Sequence, residues 1–77
     1  MKRSSRRDVR NPVLALPSIE ALQALPIETR RALAFLLTDL STDARMRADE
    51  SWRKHKAPMA AYWKAVSVYA KHIRRAL

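Results

Sequence analysis

The absence of glycine is the feature that most restricts how this chain folds. Its 77 residues contain no glycine and four prolines, and alanine, leucine, arginine and lysine dominate the rest. These four residue types are strong helix formers. No stretch alternates apolar and polar residues as a half-buried strand does. The sequence therefore predicts an all-α fold.

The length of the chain allows one domain. A domain of 77 residues buries a modest fraction of its surface and is usually marginally stable. The chain has no cysteine, so neither a disulfide framework nor a cysteine-type zinc site can reinforce it. Homodimerisation, or binding to another partner, is therefore left open as a source of added stability.

The N-terminal segment is basic and contains few apolar residues. Residues 1–12 carry one acid, Asp8, and five bases: Lys2, Arg3, Arg6, Arg7 and Arg10. Such a composition predicts a disordered arm, which leaves residues 13–77 as a single helical domain.

No segment resembles a targeting or membrane-spanning sequence. The apolar stretch Val13 to Leu16 is shorter than the roughly 7–15 residues of a secretory signal. No apolar run approaches the roughly 20 residues of a transmembrane helix. The missing cysteines also fit a reducing compartment, and we expect a cytoplasmic protein with no membrane span.

The domain is predicted to be a small bundle of three to four helices. The predicted helices cover about residues 18–25, 26–40, 42–56 and 58–75, with Pro26 and Pro58 at two of the boundaries. Ser41 and Thr42 offer an N-cap for a new helix, so a break or sharp bend is expected there. A single continuous helix through Ser41 is the alternative.

Apolar stripes predict how these helices pack. Leu33, Leu36, Leu37 and Leu40 recur at helical spacing. We expect this stripe to face the last helix, whose apolar face contains Met59, Tyr62, Trp63, Val66, Tyr69, Ala70, Ile73 and Leu77. The inner face of the third predicted helix contains mostly small residues and consists of Ala44, Ala48, Ser51, Trp52 and His55. Its small residues predict close approach of another helix.

The aromatic side chains have two readings. Trp52, Tyr62, Trp63 and Tyr69 could form a platform on which bases stack. Because they lie at helical spacing on apolar faces, we interpret them as core. Phe35 lies away from the leucine stripe, and it either packs under the first helix or marks a partner surface.

No catalytic arrangement can be assembled from these residues. His55 and His72 fit no zinc-protease motif, and no third nitrogen or sulfur ligand is available. We interpret both as structural. The serines have no base near them in sequence, and a glycine-rich phosphate loop is excluded. We therefore expect no enzymatic activity, cofactor, bound metal or small-molecule substrate.

The distribution of charge is the strongest indication of function in this sequence. The net charge is +9, from 16 basic and 7 acidic residues. Residues 51–77 contain no acid and seven bases: Arg53, Lys54, Lys56, Lys64, Lys71, Arg74 and Arg75. Within the last helix, Lys64, Lys71 and Arg75 share one face, opposite the apolar one. A surplus of this kind favours an acidic partner.

The sequence thus predicts a nucleic-acid-binding or regulatory module that contacts the phosphate backbone. The predicted contact residues are Arg3, Arg6, Arg7, Arg10, Arg53, Lys56, Lys64, Lys71, Arg74 and Arg75. A helix-turn-helix across the second and third predicted helices lacks the glycine often found in its turn. The alternative is a protein-binding regulator, adaptor or inhibitor, such as one from a phage or mobile element, that docks on an acidic surface of a larger complex.

Overall fold

The computed structural model describes residues 11–77, and most of them are helical. A 3₁₀ turn spans Pro12–Ala15, followed by helices α1 (Ile19–Gln23), α2 (Ile27–Arg53) and α3 (Ala57–Ala76). No strand occurs within these residues. The predicted all-α fold with three helices is confirmed, and the predicted arm lies outside the described residues except for Asn11 and Pro12.

Helix α2 continues through the position where a break was predicted. The break at Ser41 is wrong, and the single continuous helix is confirmed. Ser41 is buried, and its hydroxyl donates a hydrogen bond of 3.1 Å to the carbonyl of Ser67 on α3. A serine can stay within a helix when its hydroxyl finds another partner instead of competing for nearby backbone groups. Its hydroxyl therefore joins two helices rather than starting one.

Small residues form the contact between α2 and α3. Ala44 on α2 is 0 % exposed, and it faces a line of small buried residues on α3: Ala60, Ser67 and Ala70. Short side chains allow two helix axes to approach closely. The predicted close approach is therefore confirmed. We name this set of residues, with Ser41, the small-residue seam.

Two residues of the predicted inner face lie elsewhere. Ala48 and Ser51 are half-buried, as expected, whereas Trp52 and His55 are exposed. On α2, the seam residues Ser41 and Ala44 are followed by Ala48 and Ser51 at steps of three and four residues, so these four share one face. Trp52 lies a further 100° around the helix, and His55 follows the end of α2.

The leucine stripe borders the seam instead of filling it. Leu33 and Leu37 are half-buried, while Leu36 remains 61 % exposed. The stripe faces α3 with only one of its edges, because the small residues occupy the centre of the contact.

The aromatic core predicted from helical spacing is also wrong for most of its members. Trp63 is half-buried, but Trp52, Tyr62 and Tyr69 are exposed. Among the described residues no large side chain is fully buried. The tight seam excludes bulky rings, so they lie beside it.

The N-terminal segment closes the C-terminal end of α3. Val13 and Ile19 are buried against Ala76, and Leu14, Leu22 and Ile73 pack around them. Three side chains also donate hydrogen bonds to backbone carbonyls at this end: Asn11 to His72 (2.8 Å), Gln23 to Ala76 (2.8 Å) and Arg30 to Leu77 (3.1 Å). The last carbonyls of a helix have no partner within it, and Gln23 supplies one for Ala76. Asn11 and Pro12 thus contribute to the fold, although the sequence placed them in the arm.

The turn between α2 and α3 places a histidine in a conformation that favours glycine. His55 has φ = 59°. Its amide donates to the carbonyl of Trp52 (3.1 Å), and the amide of Lys56 donates to that of Ser51 (2.8 Å). These two bonds define a Schellman motif, whose left-handed position is usually glycine. With no glycine in the chain, a residue with a Cβ occupies it. The exposed His55 therefore has a backbone role, and its predicted place on a packing face is wrong.

Filling the seam should destabilise the hairpin. We expect Ala44→Leu to lower the free energy of unfolding by about 1–3 kcal/mol, because extra methylenes in a packed contact force the helices apart. Urea denaturation followed by circular dichroism measures this change. Ala32→Leu, at an exposed position of α2, is the matched control and should stay within about 0.5 kcal/mol of the parent. Equal losses in both variants would contradict the seam.

Relieving the backbone at His55 should stabilise the fold. We expect His55→Gly to raise the free energy of unfolding by about 0.5–1 kcal/mol, because glycine adopts the left-handed conformation without a Cβ clash. The midpoint of thermal unfolding should then rise by several degrees. His55→Ala removes the imidazole but keeps the Cβ, so it should bring no such gain. A gain as large for alanine as for glycine would show that the side chain, not the backbone, is strained.

Candidate nucleic-acid interface

The α2–α3 hairpin has two unlike sides. Residues two apart on a helix point in nearly opposite directions. The guanidinium of Arg47 lies over the ring of Trp63, 5.1 Å from its centroid, on one side of the seam. Arg45 lies on the other side, in a shallow furrow with Lys64 and Lys71 of α3. One side of the hairpin is therefore basic, and the side with Trp63 is apolar.

The furrow on the basic side runs along the junction of the two helices. Near the interhelical turn it is lined by Ala48, Asp49, Trp52, Ala57, Ala60, Ala61 and Lys64. It continues past Arg45, Ser67, Val68 and Lys71. The two stretches share Ala48, Asp49 and Lys64, so they form one channel, which we name the basic furrow. Its alanines keep it shallow, and charged or aromatic side chains border it.

Acidic residues lie mainly away from the furrow. On α2, four acids follow one another at steps of 11, 4 and 7 residues: Glu28, Asp39, Asp43 and Glu50. These steps are close to whole numbers of helical turns, so the acids form one stripe. In the described part of the chain, Asp49 is the one acid that lines the furrow.

Two ion pairs neutralise charge on α2 locally. Arg47 pairs with Asp43, and Lys54 pairs with Glu50, each at 2.8 Å. The hydrogen bond that Arg47 donates to the Asp43 carboxylate raises the pKa of Arg47. The hydrogen bond from Lys54 lowers the pKa of Glu50. Within each pair, one positive and one negative side chain offset each other. Being exposed, they add little to stability.

The structure brings two of the predicted contact residues together in the furrow and places two further residues there that were not predicted as contacts. Lys64 and Lys71, predicted from their shared helical face, both line the furrow. Arg45 was missed because its segment balances acids and bases in sequence, and only the antiparallel hairpin brings it opposite the two lysines. Trp52 was interpreted as core but is 69 % exposed and borders the furrow.

The remaining predicted contact residues lie outside the furrow. Arg53 lies in a shallow depression at the turn with Trp52, His55 and Ala57. Lys56 precedes α3, and Arg74 and Arg75 are exposed in its last turn, where cations suit the helix dipole.

Phe35 is 72 % exposed, so it does not pack under α1. Its role at a partner surface stays a prediction. Arg3, Arg6, Arg7 and Arg10 lie outside the described residues. The described chain begins at Asn11, which is bonded to His72, the neighbour of Lys71.

Three further observations complete the description of the surface. Within residues 11–77, no group of three or more histidine, cysteine, aspartate or glutamate side chains could hold a metal ion. Of the helices described above, none is both long and apolar enough to cross a membrane. Comparisons with protein-family models, curated proteins and solved structures give no match.

Proposed function

We propose that this protein is a non-catalytic module that binds the phosphate backbone of nucleic acid along the basic furrow. The convergence of Arg45, Lys64 and Lys71 from two helices carries the proposal. None of these three forms an ion pair with a described residue. Asp49 is the one acid that lines the described furrow beside these three cations. Cations that are not held in an ion pair gain most from replacing the counterions of a phosphate chain.

The spacing of the cations suits an extended anion. Lys64 and Lys71 are seven residues apart on α3, which corresponds to roughly 10 Å. Arg75, four residues further, extends this row to roughly 16 Å. Phosphates follow one another every 3.4 Å along the axis for each strand of a duplex, so the row is long enough to follow several of them.

The position of Trp52 favours a single strand over a duplex. Its exposed ring borders the end of the furrow near the turn. A basic groove beside an aromatic face is the arrangement with which proteins hold single-stranded nucleic acid, because unpaired bases stack on the ring. Bases inside a duplex already stack on each other and cannot reach it.

The N-terminal bases are a second source of phosphate contacts. Residues 1–10 contain Lys2, Arg3, Arg6, Arg7 and Arg10. The described chain begins at Asn11, which donates a hydrogen bond to the carbonyl of His72, next to Lys71 in the sequence. Removing residues 1–10 should weaken binding without loss of the described helices.

Removing furrow cations should flatten the salt dependence of binding. We expect Lys64→Gln and Lys71→Gln each to lower the slope of log K against log salt by about 0.7 for a single strand. Fluorescence anisotropy with a labelled oligothymidylate at several salt concentrations measures this. The matched control is Lys54→Gln, because Lys54 is already paired with Glu50. Its slope should equal that of the parent.

The same titration separates nucleic acid from an acidic protein surface. Polyglutamate at equal charge concentration should displace the oligonucleotide poorly if phosphates and bases are the true ligand. Equal slopes for Lys64→Gln and Lys54→Gln, with efficient displacement by polyglutamate, would contradict the proposal and favour the protein-binding alternative.

The contribution of Trp52 should appear only with unpaired bases. We expect Trp52→Ala to weaken binding of a single strand by about 1–3 kcal/mol through loss of one stacked base. The affinity for a duplex of the same length should change little. Phe35→Ala removes another exposed aromatic ring outside the furrow and serves as the control. Equal losses for single strand and duplex would show that Trp52 does not stack on bases.

A further inference from the structure

The apolar side of the hairpin is unusually exposed for a chain of this size. We define it by seven residues: Leu33, Leu36 and Leu40 on α2, and Met59, Tyr62, Val66 and Tyr69 on α3. Exposure is 61 % for Leu36, 57 % for Tyr62 and 56 % for Tyr69. Contiguous apolar surface of this extent on a soluble fold marks an interaction site.

No segment of this chain is suited to cover that side. The 3₁₀ turn and α1 pack at the far end of α3, around Ile73 and Ala76. Residues 1–10 contain only Met1 and Val9 as apolar residues, too few to pair with a stripe on two helices.

We propose that a second copy of this chain covers the apolar side and that the two hairpins form a four-helix bundle. One copy measures 16 Å in its thinnest direction, little more than one helix with its side chains. Two such layers packed face to face give an ordinary bundle with an interior. A two-fold axis through the face pairs it with itself.

The available area is sufficient for a specific dimer. Five of the seven residues are 39–61 % exposed, which corresponds to roughly 500 Å² per copy. Pairing would therefore remove about 1,000 Å² in total, which is where specific interfaces begin. The surrounding polar rim would add to that area.

Charge explains why a strongly basic chain can pair with itself through this side. The seven residues of the apolar side carry no charge, and the adjacent Asp43 and Arg47 already neutralise each other. In the bundle both basic furrows lie on the outer surfaces, separated by two helix layers, or roughly 20 Å. That exceeds the screening length of about 8–10 Å at physiological salt, so the repulsion between furrows is weak.

Sedimentation equilibrium of the full chain tests the proposal. We expect a mass of twice 8.9 kDa at micromolar concentrations, and a thermal midpoint that rises with protein concentration. Leu36→Glu and Tyr62→Glu should each weaken association by at least about tenfold. Phe35→Glu places the same charge on an equally exposed apolar residue at the outer edge of α2 and should leave association unchanged.

Two results would overturn this inference. The first is a monomeric mass together with a thermal midpoint that does not depend on protein concentration. Both are measured on the parent chain, so this test does not depend on whether a variant folds. The second is a dimer that Phe35→Glu disrupts and Leu36→Glu does not. The furrow variants Lys64→Gln and Lys71→Gln should form the dimer as the parent does. If the nucleic-acid proposal fails, the dimer proposal can therefore still hold, and if the dimer proposal fails, the nucleic-acid proposal can still hold.

Discussion

The close contact between α2 and α3 determines the rest of the architecture. Ala44, Ala60 and Ala70 are short enough to let the helix backbones approach, and the Ser41 hydroxyl reaches the carbonyl of Ser67 across the gap. A contact made of such small side chains buries little apolar area, so its contribution per residue is modest. Its main effect is geometric. Every larger side chain on the two helices has to lie on one side of the hairpin or the other.

That division separates charge from apolar surface. Because residues two apart on a helix point in opposite directions, Arg45 and Lys64 fall on one side while Arg47 and Tyr62 fall on the other. Four of the five acids of α2 form a stripe away from Lys64 and Lys71, with Asp49 as the exception, and α3 has no acid. The net charge of the chain therefore understates the positive potential along the furrow, because it counts acids that lie away from it. The two proposed interfaces use opposite sides, and neither needs residues of the other.

The sequence predicted the elements of this fold better than their orientation. Helix-forming composition, the prolines at positions 26 and 58, and the shared face of Lys64 and Lys71 are local signals, and each was confirmed where the structure describes it. The prediction at Ser41 was wrong because a serine suits both an N-cap and a close helix contact. Only the approach of α3, where the backbone carbonyl of Ser67 accepts the hydroxyl's hydrogen bond, decides between them. The prediction that Trp52 and Tyr62 are core was wrong because helical spacing indicates an apolar face. It does not indicate whether another part of the chain covers that face. Arg45 lies beside Lys64 and Lys71 only because α2 and α3 pack against each other. A local sequence pattern does not contain such a contact between distant segments.

A seam built from alanine and serine also determines which kind of mutagenesis can detect it. Alanine scanning, which measures a contact by truncating side chains, leaves Ala44, Ala60 and Ala70 unchanged because they are alanine already. Within the seam such a scan would change only Ser41 and Ser67, and it would assign most of the stability of the hairpin to the bordering leucines and aromatic residues. For a layer one helix thick, the informative series runs in the opposite direction, toward larger side chains. The positions at which even a small increase in side-chain volume lowers stability then mark the line along which the two helices meet.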